Sequence, residues 1–192
     1  INKENFILHD DDSINFENLN FRYFNSDIDI FENISFSIKK NTHITVTGPN
    51  GSGKSTMLGL LAGVLYASEG KVKSFSNRFG YIGATPLIFE SSLYENLMYG
   101  NEKEISENEI MSFLKLLDTF KEQENYDLNR VINNKSLSSG QMQKIAFIRA
   151  LLSDVDILLL DEATANLDDK SKKKIFSILK DKKVTIINST HD

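Results

Sequence analysis

The chain has 192 residues, 40% of them hydrophobic and 26% charged, and a formal net charge of −5. That length and balance suit one globular domain with a full core, or a domain carrying a smaller lobe. Cysteine is absent, which excludes a disulfide framework, a thiolate metal site and a cysteine nucleophile. The acidic balance gives no reason to expect a nucleic-acid partner, and no apolar run approaches the ~20 residues that span a bilayer.

Residues 1–12 are polar and acidic, and Asp10-Asp11-Asp12 reads as a solvated linker. Alternation then begins with Ile14 and Phe16 and resumes in shifted phase at Leu19, Phe21 and Tyr23, as a bulged strand would give. Residues 25–29 turn the chain into a second alternating run, Ile34, Phe36 and Ile38. A short strand over 43–47 follows. Such strands beside what comes next suggest an antiparallel sheet laid against an α/β core.

What comes next is Gly48-Pro49-Asn50-Gly51-Ser52-Gly53-Lys54-Ser55-Thr56, opening onto a helical pattern from Met57 to Leu65. Strand, glycine loop and helix in that order form a phosphate cradle. The loop's backbone N–H groups and the positive helix end face phosphate oxygens. Lys54 reaches the outer phosphates and the Ser55 hydroxyl is a ligand for Mg²⁺. A turn that merely joins a strand to a helix does not need lysine and serine at this spacing. The stretch is read as a nucleoside triphosphate site.

Strand patterns at 71–75 and 79–82 follow, and from Ser91 to Leu152 the signals are helical. Ser106 with Glu109 makes a capping box before the apolar stripe Ile110, Phe113, Leu114 and Leu117. A further helix is expected from about Gly140 to Leu152. Ile157-Leu158-Leu159-Leu160 is a buried parallel strand whose carboxyl end delivers Asp161 and Glu162 to the ligand crevice. Asp161 is placed to hold Mg²⁺, and Glu162 to polarise an attacking water as general base. A helix near 170–179 and a last strand over 184–188 end the pattern. The chain starts at Ile1 and stops at His191-Asp192, and both ends read as cuts in a longer polypeptide.

Leu137-Ser138-Ser139-Gly140-Gln141, followed by the run 142–150, resembles the signature motif and helix of ATP-binding cassette (ABC) ATPases, usually LSGGQ. With it, 161–168 resembles the Walker B and D-loop segment, and His191 falls on the family's H-loop. The resemblance covers roughly 13–192. It implies a P-loop NTPase (RecA-like) α/β core, about 13–87 and 153–192. An antiparallel β subdomain and an inserted helical subdomain of about 88–152 complete it, with the usual C-terminal end missing. It also implies ATP and Mg²⁺ as ligands, with Ser55 and Asp161 on the metal and Tyr23 (alternatively Phe24) stacked on adenine. Glu162, His191 and Lys54 would be catalytic. The signature, Leu137 to Gln141, would act on ATP held by a second cassette, as homo- or heterodimer, with Asp168 of the D-loop between the two sites. Residues 92–100 resemble the exporter-type segment that meets a transmembrane domain, which implies work at the cytoplasmic face of a membrane.

The pattern also departs from the family. Ala84 stands where the Q-loop glutamine is usual, Ser139 replaces the first signature glycine, and Ala165 replaces a D-loop serine. Residues 128–136 lack the exporter's pre-signature glycine and glutamate. The expected function is the ATP-hydrolysing motor of a membrane exporter with tight binding and slow or partner-dependent turnover. The alternatives are a degenerate cassette that binds ATP as a regulatory dimerisation module, and an ABC ATPase outside transport. A P-loop kinase or GTPase has no use for Leu137–Gln141.

Overall fold

The computed structural model describes residues 11–120 and 126–190. Strand β1 (Asp12–Arg22) is the centre of a three-stranded antiparallel sheet between β2 (Asp29–Lys39) and β4 (Glu69–Ser74). The expected bulge is there. Phe16 pairs with Phe36 but Leu19 with Ile34, so one extra residue sits on β1 with Asn18 at φ 44°. The slip lets Ile14, Phe16, Leu19 and Phe21 all face inward despite their changed phase. One boundary needs correcting. Asp12, expected at the end of a solvated linker, is only 3% exposed and pairs with Lys39 at 2.6 Å. The strand therefore starts before the apolar alternation does, because β2 is long enough to bring an ammonium opposite that carboxylate.

The second sheet is parallel, in the order β3 (His43–Thr47), β9 (Thr185–Thr190), β8 (Ile157–Asp161) and β5 (Phe79–Ile82). Helix α1 (Lys54–Leu61) follows β3 and packs against β8 and β9. It starts and ends earlier than the 57–65 pattern suggested. Gly63 at φ 70° turns the chain back, and the amides of Val64 and Leu65 close onto the Gly59 carbonyl.

Every apolar residue of β8 is fully buried, and their alternation divides them between two cores. Ile157 and Leu159 join the cluster of β1, β2 and α1; Leu158 and Leu160 join the cluster of the helices. A strand covered on both faces reads as an unbroken apolar run for this reason.

The expected all-helical stretch holds α2 (Leu93–Met98), α3 (Glu107–Leu116) and α4 (Ser139–Leu152). It is not wholly helical. Strands β6 (Ser91–Ser92) and β7 (Val131–Ile132) pair there, and the Leu93 and Tyr94 amides extend the contact to the carbonyls of Arg130 and Leu128. Ser106 caps α3 through the Glu109 amide, one half of the expected capping box, and of the stripe Ile110, Leu114 and Leu117 are buried while Phe113 is partly so. The last helix, α5 (Asp169–Asp181), packs against α4.

Candidate functional site

The phosphate loop lies between β3 and α1. Gly53 caps α1 at φ 92°, and a β-carbon there would come within 2.8 Å of Ile30 and 3.0 Å of Phe31. Only glycine fits that position. Lys54, the first helical residue, is 7% exposed, and its ammonium donates to the carbonyls of Gly48 (2.8 Å) and Pro49 (3.1 Å). The first turn of α1 carries no acid, so its positive end is not neutralised from within. An open hollow of about 350 Å³ is lined by Tyr23, Ile30, Glu162 and the loop residues Asn50, Gly51 and Gly53–Thr56. Tyr23 is 45% exposed; its hydroxyl lies 2.8 Å from the Thr56 hydroxyl and its ring meets Phe21 edge-on. Phe24, the other aromatic candidate, is almost wholly exposed and does not line the hollow.

Three parallel strands end together at Asp161. Its Oδ1 accepts from the Ser55 hydroxyl (3.1 Å) and the Ser189 hydroxyl (2.7 Å), and its Oδ2 from the Tyr81 hydroxyl (3.0 Å). Ser189 sits opposite Asp161 in the β8–β9 register, and Tyr81 lies on β5. Burial, and then the nearby Asp161 charge, push the Tyr81 hydroxyl up to about 12, so it keeps its proton. The Ser55 hydroxyl and the Asp161 carboxylate are hard oxygen donors side by side, the chemistry that suits Mg²⁺. Glu162 follows in the left-handed region, at φ 55°. Its amide is held by the carbonyl and hydroxyl of Ser189, both at 3.2 Å. Among the described residues only Glu162 and Lys183 adopt that region without being Gly, Asn or Asp, and Lys183 merely ends α5. Backbone of this kind costs ~1–3 kcal/mol and clusters at functional sites.

The signature residues lie elsewhere, at the start of α4. Ser138 caps the helix by accepting from the Gln141 amide (3.2 Å), and Gln141 Oε1 accepts in return from the Ser138 amide (2.9 Å). Leu137 is buried with the helical cluster, and Ser139 and Gly140 form the first helical positions. A β-carbon on Gly140 would stand 3.1 Å from the Asn166 carbonyl, so the signature touches the D-loop segment. Gln143, unmarked in the sequence reading, is fully buried and donates from Nε2 to the Gly83 carbonyl at 3.2 Å. Ala84 itself is exposed. His191 lies outside the described residues.

Asp168 caps α5. It accepts from the Ser171 amide and hydroxyl, each at 2.8 Å, and pairs with Lys144 at 3.1 Å. The Ser171 bonds, and then Lys144, hold its carboxyl well below the usual range. Asp168→Ala should cost about 1 kcal/mol or less, the lower part of the range for a lost cap, because the carboxylate is half exposed. A depressed folded-state value stabilises above the ordinary carboxylate value of ~4 and is lost as pH falls below it. Urea unfolding of both proteins should therefore show a gap that is full at neutral pH and shrinks in acid.

The family model described as ABC transporter matches residues 31–165. The chain belongs to that family. The cassette is 35% identical over 179 residues to ABC transporter B family member 13 of Arabidopsis thaliana, covering 84% of this chain and 14% of that protein. It is 35% identical over 178 residues to the lactococcin-A transport/processing ATP-binding protein LcnC of Lactococcus lactis, covering 84% and 25%. Against a probable metal transport system ATP-binding protein of Thermotoga maritima it is 33% identical over 186 residues, covering 92% and 73%. The cassette thus spans a seventh to a quarter of the first two relatives. Its fold matches that of a bacterial Atm1-family ABC exporter with ATP bound, at a TM-score of 0.83 and 24% identity over all of this chain and 36% of the other. Among the described residues, no helix is long and apolar enough to cross a membrane.

Proposed function

We propose that this cassette is the ATP-hydrolysing motor of a membrane exporter, acting from the cytoplasmic face on a transmembrane domain. The observation that carries the reading is the Ser55–Asp161 pair, 3.1 Å apart, with Glu162 next in the chain and facing the same hollow. ATP lies with its phosphates in the loop Gly48–Thr56, Lys54 against the outer ones, and the adenine on Tyr23. Ser55 and Asp161 hold Mg²⁺, which when bound offsets phosphate charge. Glu162 takes a proton from the attacking water. His191 orients that water.

Residues 13–192 work as one cassette, with the helices of 88–152 as its inserted part. The signature start at Leu137–Gln141 is a second anion-binding helix end, away from the chain's own loop. Its target is ATP on a second cassette, identical or not, with Asp168 of each D-loop between the two sites. Residues 92–100 contact the transmembrane domain. The exporter reading draws on the names of the relatives, among them a lactococcin transport/processing protein. No nucleic acid is involved.

A regulatory, weakly hydrolysing cassette is the second reading, favoured by Ala84, which presents no polar side chain to the site. Phosphate release per cassette should rise with cassette concentration, because each site needs two copies. Ala84→Gln should raise it further. No release from either protein at any concentration would leave the regulatory reading standing.

A further inference from the structure

Tyr81 has no place in the scheme above, yet its hydroxyl reaches the site's metal acid. Tyr81 as a whole is 54% exposed, so burial of the side chain does not explain its orientation. The hydroxyl donates to Asp161 Oδ2 at 3.0 Å, while Ser55 and Ser189 occupy Oδ1. A carboxylate held on one oxygen can still swing about its own bond. Held on both by groups from three separate elements, it has one orientation. We propose that Tyr81 is a positioning residue for the metal. By fixing Oδ2 it keeps Asp161 Oδ1 beside the Ser55 hydroxyl, where the two would hold Mg²⁺. The proposal rests on the reading that Ser55 and Asp161 form the metal site.

The position of Tyr81 adds a second consequence. The residues just after it, Gly83 and Ala84, make up the loop whose Gly83 carbonyl is gripped by buried Gln143 of the signature helix. One short segment therefore touches the metal acid at one end and α4 at the other. Ala84 offers no side-chain oxygen or nitrogen, and the Tyr81 hydroxyl ties this segment to Asp161.

The test uses Mn²⁺ as the probe in place of Mg²⁺. The free ion is followed by electron paramagnetic resonance with ADP present, and binding of a fluorescent ADP is measured separately in EDTA. Tyr81→Phe keeps the ring and removes only the hydroxyl. It should weaken Mn²⁺ by about tenfold, as loss of a hydrogen bond to a metal-bound carboxylate does, and leave metal-free ADP binding unchanged. Ser55→Ala runs beside it. If Ser55→Ala weakens Mn²⁺ and Tyr81→Phe does not, the positioning role is wrong and the metal site stands. If neither changes Mn²⁺ affinity, the metal-site reading falls and the proposal with it. If Tyr81→Phe weakens ADP equally in EDTA, the hydroxyl acts on the fold of the site rather than on the metal, which also overturns the proposal.

Discussion

Glu162→Gln should lower phosphate release by roughly two to four orders of magnitude, the usual contribution of a positioned general base. It should also leave the protein as an ATP-bound pair with twice the mass of the nucleotide-free chain in light scattering. The amide matches the carboxylate in size but cannot take a proton from water. The replacement leaves the backbone contacts of the residue in place. The Glu162 amide still bonds to Ser189, and Asp161 keeps Ser55, Ser189 and Tyr81. The left-handed backbone at φ 55° is no harder for glutamine than for glutamate. Binding therefore persists while hydrolysis stops, and a pair held by uncleaved ATP has no step that releases it. Undiminished turnover would move the base elsewhere. A monomer at saturating Mg-ATP would count against the shared site.

Lys54→Ala acts one step earlier and should remove nucleotide binding itself. Truncating one partner of a buried, hydrogen-bonded charge pair costs about 2–5 kcal/mol, or roughly thirtyfold or more in Kd. In the proposed site the partner charge is the phosphate, and the Lys54 side chain, nearly buried, is held at the mouth of the loop by the Gly48 and Pro49 carbonyls. The same bonds imply that the loop relaxes when the ammonium is gone, so both binding and loop order suffer. Calorimetric titration with ATP, beside a thermal melt to show that the core survives, measures the loss. An unchanged Kd would remove Lys54 from the phosphate site.

These residues were visible in sequence because their chemistry is local. The phosphate loop is one contiguous run, the Ser138–Gln141 cap spans four residues, and Asp161 and Glu162 directly follow four apolar residues. What was missed is held together across the chain. Ser189 and Tyr81 reach Asp161 over sequence separations of 28 and 80 residues. No spacing rule selects one serine or tyrosine out of a sheet in which strand order is not chain order. Gln143 reads as a polar helix residue until the loop it grips is known to pass beside it. The β6–β7 pair is two residues on each side, too short for alternation to show. Asp12 failed for the opposite reason. Its acidic neighbours look solvated, and only the far end of β2 reveals a partner for it.

The double-sided burial of β8 sets where change can be tolerated in this cassette. No residue from Ile157 to Leu160 faces water, and each is committed to one of two different cores. A substitution anywhere along the strand therefore unsettles one core and, through the shared backbone, shifts the acids at its end. Loops and helix surfaces carry no such double commitment, while the strand behaves as an all-or-nothing part. Within this strand, adjustments to catalytic speed enter at its tip, among Asp161, Glu162 and the hydroxyls that steady them. A cassette could slow or lose hydrolysis by a single exchange there and keep its architecture intact.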